Sequence, residues 1–172
     1  MKKVYLTSGP RGSGKSTFVE KVASLRPGIT VISRDAILIE LFNSTSLSPY
    51  GGDHYYAMKI LSERVSDFLS GNNGDELILD LWNGFPRERQ AIIRMLKERG
   101  ADRVVCWQFV LPVDLCVRWF FMKPDSEGYC EPGIRRDYDL YYKTASGIEN
   151  DGFDGIHHID PCQPEIPLAI FQ

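Results

Sequence analysis

Nine consecutive residues carry the clearest chemistry in the chain. Gly9-Pro10-Arg11-Gly12-Ser13-Gly14-Lys15-Ser16-Thr17 has the spacing G-x-x-x-x-G-K-[ST]. Glycines at these positions let backbone N–H groups turn inward around a phosphate without Cβ clashes. Lys15 supplies a mobile cation for the β- and γ-phosphates of a nucleotide, and the Ser16 hydroxyl is a hard oxygen ligand for Mg²⁺. A helix opening at Lys15 adds the positive end of its dipole. All nine residues are expected to line a nucleotide site, with ATP and Mg²⁺ as ligands.

Further polar residues fall where strands should end. Ser33-Arg34-Asp35 closes a short β-rich run. An Asp there can take the proton of an acceptor hydroxyl and orient its oxygen for in-line attack on a γ-phosphate. Asp35 also has the residue type and position of an N-cap for the next helix. Asp80 follows three aliphatic residues and is a candidate to hold Mg²⁺ beside Ser16 or to orient an acceptor. Asn83, Arg87 and Arg89 lie just beyond it, at the mouth of the same expected cleft. Arg118 is the candidate cation to close over the phosphates, with Arg135 and Arg136 as competitors beside a lid-like loop at 122–132. Trp119, Tyr138, Tyr141 and Tyr142 could stack a nucleobase, but packing of an amphipathic helix explains them as well. His157 and His158 alternate across a strand and so cannot share one metal. The N-K-x-D guanine signature is absent, and a single Asp80 stands where motor ATPases carry an acidic pair; both favour a small kinase.

The elements that must position these residues follow from hydrophobic periodicity. Strands are expected at 4–7, 29–33, 77–81, 103–110 and 155–160. Helices are expected at 15–26, 36–42, 55–69, 86–99, 112–121 and 133–145, with loops at 43–53 and 122–132. The order β-α-β-α-α-β-α-β-α-α-β, without repeat or linker, predicts an α/β fold with a parallel sheet covered on both faces. The tail from 161 to 172 shows no clear periodicity. With 172 residues, one domain and one core suffice. There are 20 Lys+Arg against 23 Asp+Glu, so binding of nucleic acid by bulk positive charge is excluded, though a local basic groove is not. Cys106, Cys116, Cys130 and Cys162 show no C-x-x-C spacing and read as free thiols, which together with the lack of a signal-type segment or an 18-residue apolar run predicts a cytoplasmic protein away from the membrane.

Residues 1–37 resemble the 5′-kinase domain of phage-type polynucleotide kinase. The resemblance rests on Met1-Lys2-Lys3-Val4-Tyr5-Leu6-Thr7, the phosphate loop, Ser33-Arg34-Asp35 and the distance from Lys15 to Asp35. Asp80, Asn83 and Pro86-Arg87-Glu88-Arg89 are similar to that family's Asp/Asn strand end and following helix start. The resemblance implies a P-loop NTPase three-layer sandwich, related to adenylate kinase: a five-stranded parallel sheet of order 2-3-1-4-5, helices on both faces and a small lid at about 118–136. It implies that Lys15 and Ser16 serve ATP and Mg²⁺, that Asp35 is the general base toward a 5′-hydroxyl, and that Arg118 is the lid arginine. Arg34, Asp35, Asp80 and Asn83 form the expected substrate side. One departure matters: the family's arginine three residues after the catalytic Asp, which holds the phosphate next to the acceptor nucleoside, is Leu38 here. An aliphatic side chain cannot replace a bidentate clamp. The family's appended phosphatase domain has no counterpart in these residues. The expected activity is ATP-dependent transfer to a hydroxyl, of a polynucleotide or nucleotide 5′ end first and of a small molecule (sugar acid, antibiotic or nucleotide sugar) second. A nucleotide-dependent switch or ATPase is the alternative from another class.

Overall fold

The computed structural model describes residues 1–45, 51–72, 74–123, 126 and 128–172. Its elements are β1 (Lys3–Ser8), α1 (Lys15–Leu25), β2 (Thr30–Ser33), α2 (Arg34–Phe42), α3 (Gly52–Ser70), β3 (Glu76–Asp80), α4 (Pro86–Glu98), β4 (Arg103–Phe109), α5 (Val113–Phe121), α6 (Glu131–Ala145) and β5 (Gly155–Ile159). The five strands form one parallel sheet in the order β2-β3-β1-β4-β5.

Strand alternation sorts the core into two layers. Val4, Leu6, Leu77, Leu79 and Val104 pack with Ile37 and Leu38 of α2, with Leu61 and Val65 of α3, and with Ile93 and Leu96 of α4. Tyr5, Ile78, Val105, Trp107 and Phe109 face the other way, against Phe18, Val19 and Val22 of α1. Burial on both faces is why β1, β3 and β4 read as near-continuous apolar runs. A third, smaller cluster joins Val117 and Phe120 of α5 to Ile134 of α6. β1 lies at the centre; the chain leaves it toward β2 on one side, and leaves its neighbour β3 toward β4 on the other. The carboxyl ends of β1, β2 and β3 therefore open onto one crevice, the place where such sheets bind ligands.

Several boundaries differ from the sequence expectation, each for a local reason. α2 starts at Arg34, because Ser33 and not Asp35 is its N-cap: the Ser33 hydroxyl accepts from the Ala36 N–H at 3.4 Å. α3 starts at Gly52, three residues early. The expected loop at 43–53 includes residues 46–50, and the one at 122–132 includes 124, 125 and 127; these lie outside the described residues. α6 starts at Glu131, because Pro132 sits in its first turn, where a missing N–H costs nothing. The tail is ordered by packing that periodicity does not reveal. Ile170 is buried in the α1-side layer, Trp107 Nε1 donates to its carbonyl at 3.2 Å, and Lys3 Nζ donates to the Phe171 carbonyl at 2.7 Å.

Arg89, expected at the cleft mouth, is wholly buried. Its Nε donates to Asp151 Oδ2 at 2.5 Å, its Nη1 to the carbonyls of Asn83 and Gly84, and its Nη2 to the Thr144 carbonyl. One guanidinium thus fastens the β3–α4 loop to the end of α6. Arg89→Met would leave the Asp151 carboxylate buried without its cation and should cost about 3–5 kcal/mol. Adding Asp151→Leu should recover most of that loss. Urea unfolding of the two variants checks both expectations; a double variant no more stable than the single one contradicts them.

Candidate functional site

The loop after β1 has the backbone that its glycines permit. Gly12 and Gly14 have φ of +73° and +78°. A Cβ on Gly12 would lie 2.0 Å from the Cys116 carbonyl oxygen, so α5 can approach the loop only where there is no side chain. Gly14 caps α1 without a side-chain hydrogen bond, which leaves the first N–H groups of α1 for a ligand anion. Lys15 Nζ donates to the carbonyls of Gly9 and Pro10 at 2.8 and 2.9 Å. Enclosure pushes its ammonium down to about 8; the carboxylates of Asp80 and Asp35 oppose this, and the Lys123 charge adds to it.

Opposite Lys15, the end of β3 supplies an acid. Asp80 is buried, with Oδ1 accepting from Thr7 Oγ1 at 2.6 Å and Oδ2 lying 3.4 Å from the exposed Ser16 hydroxyl. Hydroxyl and carboxylate are hard oxygen donors, the set that Mg²⁺ takes when phosphate oxygens and water complete its shell. Among the described residues no group of three His, Cys, Asp or Glu could hold a metal by itself, so the donors fit an ion bound jointly with a nucleotide. Asn83, expected to touch substrate, is buried and donates its amide to the carbonyls of Thr7 and Leu81. It ties the end of β3 to the end of β1.

The acceptor side is built by α2. Asp35 sits in the first turn, about half exposed, and the Arg34 Nε and Nη2 both donate to its Oδ1 at 2.9 and 2.5 Å. Its Oδ2 is not part of that pair. Because Ser33 caps the helix, the Asp35 carboxylate is not used as a cap, and its charge acts on Lys15 across the crevice. Leu38 is buried in the core, facing away from solvent.

α5 closes the other side. Trp119 packs on Gly14 and Phe120 on Gly12, together with the Cys116 carbonyl. Arg118, two residues from Cys116 and so about 200° around the helix, is exposed. Arg135 is engaged by Asp114 and Glu131, and Arg136 is exposed. Arg11, at the loop tip, pairs with Asp137 of α6 at 3.1 Å and lies over the Tyr129 ring. The tyrosines separate from Trp119: Tyr141 shares a buried hydrogen bond with Ser8, and Tyr138 donates to the Leu111 carbonyl. Thr7, Lys123 and Asp137 are the site residues that sequence reasoning missed. Thr7 could have been found as a hydroxyl beside Asp80 on the β1 flank, as Ser33 is on the β2 flank.

Comparison with known proteins agrees with this geometry. A family model described as an AAA domain matches residues 4–128. No curated protein sequence matches the chain. Among solved structures, a chain of the Pnkp1/Rnl/Hen1 RNA repair complex superposes with a TM-score of 0.70 at 22% identity, over 84% of this chain and 45% of that one. A fungal RNA kinase gives 0.58 at 18% identity, over 95% and 77% of the two chains. Shikimate kinase from Acinetobacter baumannii in complex with shikimate gives 0.58 at 19% identity, over 93% and 84%. The present chain thus spans less than half the length of the repair-complex chain. The fold is that of the P-loop kinases.

Lys15 supplies a pH test of the site. Its pKa near 8 keeps it mostly charged at pH 7 and mostly neutral at pH 9. Phosphates favour the charged form, so bound ATP should raise that pKa, and ATP affinity should weaken by about tenfold from pH 7 to pH 9. Calorimetric titration across that range checks this. Lys15→Met should bind weakly and without that dependence; a parent affinity flat from pH 7 to pH 9 contradicts it.

Proposed function

The chain belongs to the AAA domain family, and from that premise we propose that it is an ATP- and Mg²⁺-dependent kinase acting on a hydroxyl. Within that class the first acceptor is the 5′-hydroxyl of a polynucleotide or nucleotide. The observation that carries the reading is Asp35: a half-exposed carboxylate with no capping duty, whose charge acts on Lys15, two residues after the Ser33 that pairs with Asp80. A nucleotide switch or ATPase would need Asp35 only as a cap, a part that Ser33 fills.

The division of labour follows from position. The loop N–H groups and Lys15 bind the phosphates, and Lys15 meets the charge that develops on the β–γ bridging oxygen. Ser16 and Asp80 would hold Mg²⁺, which when bound neutralises the β- and γ-oxygens. Asp35 Oδ2 takes the acceptor proton as the acceptor oxygen bonds to the γ-phosphorus and the bond to the bridging oxygen breaks. Arg34 holds Oδ1 and stands at the substrate side. Residues 1–172 act as one kinase domain, with α5 and the start of α6, about 118–136, as its lid. Arg118 is the proposed lid cation, and Lys123, whose charge already acts on Lys15, shares that role. The free thiols and the absence, among the described residues, of a helix long and apolar enough to cross a membrane support a cytoplasmic setting.

A small-molecule acceptor is the second reading. It is favoured by Leu38, which stands buried where a nucleic-acid kinase of the resembled type clamps a phosphate. The likeness in fold to an RNA kinase and to shikimate kinase is compatible with both.

Asp35→Asn separates catalysis from structure. The substitution keeps the shape and removes the proton acceptor, so phosphotransfer should fall by at least about 10², or about 2.7 kcal/mol in the barrier. ATP affinity should stay within about twofold and the melting temperature within a degree or so, because Ser33 carries the cap. Single-turnover transfer, ATP binding and thermal unfolding measured on one preparation test this. Transfer at the parental rate contradicts the assignment.

A further inference from the structure

We propose that Thr7 is a positioning residue that sets the Asp80 carboxylate for metal–nucleotide binding. The inference rests on the kinase reading for the nature of the ligand, and on geometry for the role of Thr7. β1 and β3 are neighbours, with Leu6 opposite Leu79 as the last paired position, so Thr7 and Asp80 follow side by side. Alternation puts both on the face of Tyr5 and Ile78, the α1 side, directly under the start of α1. Thr7 is fully buried and Asp80 nearly so.

Within this pair the two carboxylate oxygens have different duties. Oδ1 accepts from Thr7 Oγ1 at 2.6 Å, and Oδ2 lies 3.4 Å from Ser16 Oγ. An Asp side chain left to itself is broadly distributed about its second torsion. The Thr7 hydroxyl selects one setting, in which the oxygen that faces Ser16 is the one without a short internal donor. β-branching restricts the Thr7 side chain in turn. The backbone at Thr7 is pinned as well: Asn83 Nδ2 donates to its carbonyl at 2.6 Å, and Arg89 holds the Asn83 carbonyl from behind. A chain of contacts therefore runs from the buried Arg89–Asp151 pair through Asn83 and Thr7 to the carboxylate at the site. A valine at position 7 would suit the strand equally well, so the hydroxyl's single distinguishing contribution is this hydrogen bond.

The test reads metal binding with Mn²⁺ as the probe, by paramagnetic resonance of free Mn²⁺ titrated into the protein with a non-hydrolysable ATP analogue. Thr7→Val should weaken Mn²⁺ affinity by about tenfold or more, the usual effect of removing a partner that orients a metal ligand. Thr7→Ser, which keeps the hydroxyl, should restore it to within about threefold of the parent. On an Asp80→Asn background, Thr7→Val should change it by less than about twofold, because the hydroxyl acts through that carboxylate. Should Thr7→Val fail to fold, Thr7→Cys, close in size and only a weak donor, should still lose at least about threefold. Parental affinity in Thr7→Val or Thr7→Cys, beside weak binding by Asp80→Asn, overturns this inference alone. A parent that binds no Mn²⁺ with the analogue overturns the kinase reading and this inference with it.

Discussion

An ammonium group enclosed by a loop, whose direct partners among the described residues are two backbone carbonyls and the Ser13 hydroxyl, is the constraint around which the rest is arranged. Among the described residues Lys15 has no carboxylate in contact, and its charge is balanced at a distance by Asp80 at the end of β3 and Asp35 in the first turn of α2. A cation so placed is incompletely paired within the protein. The polyphosphate of the proposed nucleotide would complete the pairing, beside the start of α1, which Gly14 leaves without a side-chain cap. The two acids cannot take over the task of the phosphates, since each has a competing partner: Thr7 and Ser16 for Asp80, Arg34 for Asp35.

The fold serves that arrangement from three directions. The central place of β1 brings the ends of β2 and β3 to its side, so Asp80 and Asp35, the acids proposed for the metal and for the acceptor, fall near one another. The Arg89–Asp151 pair, buried among backbone carbonyls, holds the β3–α4 loop in the position from which Asn83 reaches Thr7. α5 then lies against the loop at an approach that only a glycine allows, so the proposed lid would share a wall with the loop.

Much of this was legible in the sequence where the signal is local. The loop motif, the single acid after an apolar strand and the β-α order need only neighbours a few residues apart, and the sheet order came with the resemblance carried by residues 1–37. The cap of α2 was misread because Ser33 and Asp35 are both good capping residues, two positions apart, and only the backbone decides between them. Arg89 reads as a surface charge because its partner is 62 residues away. Thr7 reads as a β-branched strand residue like its neighbours; its use as a donor appears only when β3 is laid beside β1. Arg118 was placed by helix and charge alone; α5 sets Cys116, Trp119 and Phe120 against the loop and leaves Arg118 exposed, as the proposed lid cation would need to be.

What separates a kinase from a nucleotide-dependent switch on this scaffold is the destination of the phosphoryl group. The most direct measurement follows γ-labelled ATP and Mg²⁺ with the full chain, with and without an oligonucleotide bearing a 5′-hydroxyl and, in parallel, a set of small hydroxyl acids and nucleotide sugars. The account predicts label in an acceptor hydroxyl, formed faster than labelled inorganic phosphate. Label released only as inorganic phosphate, at a rate indifferent to every acceptor, would contradict it.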